Sequence, residues 1–195
     1  MYQLIGTRAS RAFRVLWLLE ELGAEYEHVP ASPRSAEARA VNPSGKVPAL
    51  RDGDTVIPDS TAIMTYLADR HAALTFPAGT PDRARQDALT HQILDDVDAV
   101  LWTAARHSFV LPEEHRVPEV KTSLKWEYTN NIRRLSEQLQ DPFLMGDTMT
   151  IPDIILTHCL GWASRAGFPE PDAHLSDYAA RLSSREAFQR AAALP

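Results

Sequence analysis

The chain has 195 residues, 44% of them hydrophobic and 24% charged, with 20 Lys and Arg against 26 Asp and Glu and a single cysteine. That length suits one large or two small domains with a substantial core, and a net charge of −6 excludes a broad basic face for nucleic acid or an anionic membrane. The lone Cys159 excludes an internal disulfide, a C-x-x-C redox pair and a multi-cysteine zinc site, and fits a reducing cytoplasm.

The first 76 residues alternate short apolar runs with helical patterns. Residues 2–5 predict a strand, and residues 6–9 a polar break. Phe13, Leu16, Trp17, Leu19 and Leu22 then recur at helical spacing up to Gly23, a C-terminal cap. Glu20 and Glu21 read as a solvated face of that helix. Residues 26–30 predict a second strand and residues 35–41 a short helix. Residues 47–51 and 55–57 predict two strands around Asp52-Gly53-Asp54, a strong hairpin signal. Ser60 reads as the N-cap of a helix carrying Ile63, Met64 and Leu67 and ending near His71.

Residues 77–82 form a turn-rich linker, and helical patterns follow over 83–109, 117–140, 151–166 and 177–193. Thr150 and Asp153 match a capping box, with Met149 and Ile154 as its hydrophobic staple. Cys159 lies in an apolar run and reads as a small buried hydrophobe. The acid excess falls mainly beyond residue 76, whereas Arg8, Arg11, Arg14 and Lys46 lie in the segments that carry the chemistry below. The seven histidines show neither i, i+4 spacing nor clustering, so no metal is assigned. With no basic leader, apolar signal core or membrane-length apolar run, the expected location is cytoplasmic.

The most informative stretch is Asn42-Pro43-Ser44-Gly45-Lys46-Val47-Pro48-Ala49-Leu50, followed by Asp59-Ser60. Proline cannot donate to a sheet ladder and is tolerated only at an edge or a first residue, the place that Pro48 takes. With a cis Val47–Pro48 bond, the Val47 amide and carbonyl would form an edge for a peptide backbone. Ser60 and the first helical amides would hold a carboxylate while Asp59 accepts from an ammonium, a pattern suited to an amino-acid headgroup. The bland alternatives are a strand start and a helix cap.

These segments, together with Leu19-Glu20-Glu21-Leu22-Gly23, Tyr66-Leu67, the Thr150/Asp153 cap and Tyr178-Ala179-Ala180-Arg181-Leu182 with Phe188, resemble the cytosolic glutathione S-transferases over essentially the whole chain. The resemblance, to a bacterial-type member with a serine or threonine in the first turn, implies an α/β thioredoxin-like N-terminal domain (1–76) and an all-α helical C-terminal domain (83–195). It implies a homodimer and reduced glutathione as co-substrate with no other cofactor, while the charge balance points to no nucleic-acid or membrane partner. It implies that Val47, beside Pro48, pairs through its backbone with the cysteinyl part of glutathione, that Asp59 and Ser60 take the γ-glutamyl end, and that Lys46 lies near the glycyl carboxylate.

The implied reaction conjugates the glutathione thiolate to a small hydrophobic electrophile. The alternatives are a glutathione-binding or protein-interaction module with little conjugating activity, or a glutathione-dependent isomerase, peroxidase or dehalogenase. The hydroxyl that serine-type members place five residues before the Arg14-Val15 pair is absent here, because that position is Ala9. Ser10, Thr7 and Arg11 are the candidates for the thiolate contact, with Arg8 as an electrostatic helper, and Ser10 reads equally as a helix cap. Trp102, Arg106 and Phe109 are the candidates for an electrophile pocket, with His107, Trp126 and Trp162 as further candidates; helical core packing and a helix-end cap are the bland readings.

Overall fold

A computed structural model describes all 195 residues. By internal contacts the chain forms two units, Met1–Ala78 with Leu182–Pro195, and Gly79–Arg181. In the first, β1 (Tyr2–Ile5), α1 (Ala12–Leu22), β2 (Tyr26–Val29), α2 (Ala36–Val41), β3 (Ala49–Asp52), β4 (Thr55–Pro58) and α3 (Ser60–His71) follow in the expected order. They build a four-stranded mixed sheet of order β2-β1-β3-β4. β1 and β2 are parallel, so α1 makes the crossover that a parallel pair requires. β3 runs antiparallel to both β1 and β4, and Gly53, at φ 58°, makes the hairpin turn. This is the thioredoxin-like architecture.

Residues 12–19 of α1 are all buried, Arg14 among them. A helix buried all round needs cover on more than one side. The sheet and α3 supply part of it, and α9 (Glu186–Ala193), from the far end of the chain, supplies the rest. The sequence pattern predicts one helix of the helical domain over residues 177–193. They instead divide into α8 (Ala173–Ser183) and α9 at Ser184-Arg185, and α9 packs within the first unit against α1.

The second unit is helical. The helix expected over 83–109 is a rod of α4 (Pro81–Ile93), a π turn (Leu94–Asp98), α5 (Ala99–Ala105) and a second π turn (Arg106–Val110). α6 (Val120–Gln138) packs on α5, and α7 (Ile151–Arg165), with residues 151–160 all buried, packs on α4. The Thr150/Asp153 capping box forms at the start of α7. Asp153 also accepts from the Leu144 amide at 2.9 Å and the Tyr178 hydroxyl at 2.8 Å, yet burial outweighs these bonds and raises its pKa. Cys159 is wholly buried. No helix is long and apolar enough to cross a membrane.

Candidate functional site

The register of the sheet brings three chain segments to one end of it. The β1–β3 ladder closes at Ile5–Ala49 and the β3–β4 ladder at Ala49–Pro58. One step further, Gly6 stands opposite Pro48, and Pro48 opposite Asp59. The approach is close at Gly6. A Cβ there would lie 2.8 Å from the Ala12 side chain, 3.2 Å from that of Val47 and 3.4 Å from the Pro48 Cα, so only glycine fits. The Val47–Pro48 bond is cis, the geometry on which the backbone-edge reading depends. Thr7, Val47, Pro48, Asp59 and Ser60 thus gather around one rim.

Each segment is held by local bonds. Asn42 makes an Asx turn, its Oδ1 accepting from the Ser44 amide at 3.1 Å, while its Nδ2 donates to the Lys46 carbonyl at 3.1 Å. Lys46 itself is exposed beside the rim. Asp59, rather than Ser60, caps α3: its Oδ1 accepts from the amides of Thr61 at 2.9 Å and Ala62 at 3.1 Å. A carboxylate two and three residues before those amides satisfies two orphan donors at once, which leaves the buried Ser60 hydroxyl outside the cap. Asp59 holds φ 72° and ψ 128°, an unfavourable backbone for any residue with a Cβ. Such strain concentrates where structure serves a site.

The turn before α1 engages the two candidate hydroxyls differently. The Ser10 hydroxyl donates to the Thr7 carbonyl at 2.7 Å and accepts from the Ala12 amide at 3.1 Å, so both its functions are committed to starting the helix. Thr7 Oγ1 only accepts, from the Ala9 amide at 3.5 Å, and keeps its proton for another acceptor. Arg11 is half-buried. Of the cations in these segments, Arg14 is wholly buried. The sequence reading also missed His28, whose Nε2 donates to the Gly6 carbonyl at 2.8 Å and pins the turn to β2. A histidine in an edge strand carries no signal for that role.

Trp102, Arg106 and Phe109 belong to the second unit. Trp102 lies half-buried on α5; Arg106 and Phe109 lie on the second π turn, where Arg106 Nη2 donates to Thr103 Oγ1 at 2.8 Å and Phe109 is 70% exposed. His107, on the same turn, accepts the Val117 amide at Nδ1, at 3.1 Å, which places the proton of a neutral ring on Nε2.

Residues 4–76 match the family model described as glutathione S-transferase, N-terminal domain. A zeta-class glutathione S-transferase from Euphorbia esula is 42% identical over 160 residues, covering 76% of this chain and 69% of the relative. The chain belongs to the glutathione S-transferase family. A probable glutathione S-transferase from Oryza sativa subsp. japonica is 27% identical over 201 residues, covering 93% of this chain and 90% of the relative. Among solved structures, a theta-class glutathione S-transferase from Xanthomonas axonopodis pv. citri, with glutathione bound, superposes with a TM-score of 0.80 at 26% identity over 100% of this chain and 98% of that one. The thioredoxin-like unit followed by helices is the arrangement of a glutathione S-transferase enzyme, and the rim lies within the part that the family model covers.

Proposed function

We propose that the rim binds reduced glutathione and that the enzyme conjugates its thiolate to a small hydrophobic electrophile. The convergence of Gly6-Thr7, Val47-Pro48 and Asp59-Ser60 at one end of the sheet carries this reading. The main chain of Val47 pairs with the cysteinyl residue. The free Oδ2 of Asp59 and the Ser60 hydroxyl take the ammonium and carboxylate of the γ-glutamyl end, and Lys46 meets the glycyl carboxylate. Trp102, Arg106 and Phe109 contact the electrophile. Pairing into a homodimer belongs to the same proposal.

Only the thiolate is a good nucleophile, and a free thiol titrates near ~8.5. Lowering that value by ~2 units needs ~2.7 kcal/mol of preferential stabilisation of the anion. One hydroxyl donor and the N-terminal end of α1 supply interactions of that order. We assign the donor to Thr7, because the Ser10 proton is engaged by the Thr7 carbonyl. The test is ultraviolet absorbance of the protein with glutathione: a thiolate band at neutral pH is expected, and its absence refutes activation. A second reading, a glutathione-binding module with little conjugating activity, draws on Ala9 and on the committed Ser10 hydroxyl. Calorimetric binding without turnover across a panel of electrophiles would favour it.

A further inference from the structure

α9 runs antiparallel along α1 and ends at the turn that carries Thr7. At its start, Arg185 meets Glu21 in the last turn of α1 through two bonds, Nε to Oε1 at 2.6 Å and Nη2 to Oε2 at 2.8 Å. In its middle, Phe188 stands edge-on to both Trp17 and Phe13, with ring centroids 5.0 Å apart in each pair. In its last turn, the Ala192 carbonyl accepts from Nη1 of Arg8. The series 185, 188, 192 along α9 therefore meets 21, then 17 and 13, then 8.

The last carbonyls of a helix lack partners within it and form the negative end of its dipole. Arg8 caps that end. The bond also works in the other direction, because Arg8 follows Thr7 directly. Residues 7–10 have no ladder bonds of their own: His28 holds them at Gly6, Ser10 closes them on Thr7, and α9 holds them through Arg8.

We propose that Arg8 is a positioning residue for thiolate activation, and that through it the C-terminal helix sets the aim of the Thr7 hydroxyl. The inference rests on the reading of the rim as a glutathione site. Arg8 acts through the turn, so its loss leaves glutathione affinity nearly intact and moves the ionisation of the bound thiol. A residue needed only for folding would instead lower stability and leave that ionisation where it was.

The experiment uses the full chain in three forms: wild type, Arg8→Ala, and Ala192→Gly with Ala193→Gly, which frays the last turn of α9 while keeping the Arg8 charge. Calorimetry gives glutathione affinity, ultraviolet titration gives the pKa of the bound thiol, and the pH profile of kcat gives its consequence. In Arg8→Ala the expectation is affinity within about twofold, a thiol pKa raised by about one unit, and kcat about threefold lower at neutral pH but recovered in alkali. The glycine pair shifts the same two readouts in the same direction by a smaller amount.

If Arg8→Ala leaves the thiol pKa unchanged, or if it shifts and the glycine pair does not, the proposal fails, the second result assigning Arg8 a direct charge effect. Should Arg8→Ala not fold, the glycine pair decides alone: an unshifted thiol pKa overturns the proposal. A wild type that binds no glutathione is a separate result and refutes the reading of the rim itself.

Discussion

A hydroxyl can stabilise a neighbouring thiolate only with a proton it is not already donating, and this separates Thr7 from Ser10. Ser10 is built into the start of α1 as donor and acceptor, whereas Thr7 is an acceptor alone. Thr7→Ala is therefore expected to lower kcat by about 10- to 100-fold with little change in glutathione affinity, since the lost bond is stronger to the anion than to the thiol. Thr7→Ser should retain most activity. Ser10→Ala should cost about 1 kcal/mol of stability, as a lost helix-start bond does, with the smaller effect on kcat. Steady-state kinetics beside urea unfolding checks the pair, and an inactive Ser10→Ala of undiminished stability would reverse the assignment. Residue types and spacing brought both hydroxyls to notice. Which one is free depends on where the Thr7 carbonyl points, and sequence spacing does not encode that.

The elements of the first unit were readable because each has a local cause: Gly23 at φ 59° ends α1, Asp52-Gly53 turns the hairpin, and Asn42 shapes the loop before Pro48. Sequence pattern and structure part where a distant partner intervenes. Glu20 and Glu21 resemble a solvated pair, but α9 covers them: Arg190 binds Glu20 at 2.7 Å, and Arg185 binds Glu21, whose side chain is 8% exposed. Burial alone would raise the Glu21 pKa, but the hydrogen bonds from Arg185 and Trp17 outweigh it and hold the carboxyl below its usual value. A carboxylate with a depressed folded pKa stabilises the fold above its unfolded pKa of about 4.3, and that stability is lost as pH falls through the folded value. Arg185→Ala removes the cation from a carboxylate that stays covered. It should destabilise the protein by about 2 kcal/mol at neutral pH, in the range of charge-assisted bonds, and by less near pH ~4, where protonation relieves the variant first. Urea unfolding at the two values measures the difference, and an equal loss at both would mean that the Glu21 charge is not what Arg185 compensates.

At the scale of the whole molecule, the chain leaves its first unit at Ala78 and returns to it at Leu182. Composition places a boundary near residue 76, because the strand patterns stop there. It does not show the return, since an amphipathic helix looks alike whichever unit it covers. The return bears on whether the first unit is self-sufficient. Without α9, the face of α1 holding Phe13 and Trp17 loses Phe188, and Glu20 and Glu21 lose both cations. Removing an aromatic side chain from a core contact typically costs ~3–5 kcal/mol, comparable to much of the stability of a small domain. Fragment 1–78 alone should therefore melt without cooperativity, and Trp17, its single tryptophan, should emit as a solvated indole. Adding a peptide of residues 182–195 should shift that emission to the blue and restore a cooperative transition, with a Phe188→Ala peptide much less effective. Should fragment 1–78 melt cooperatively with buried tryptophan emission unaided, α9 is dispensable to the unit and its packing on α1 is cover rather than core.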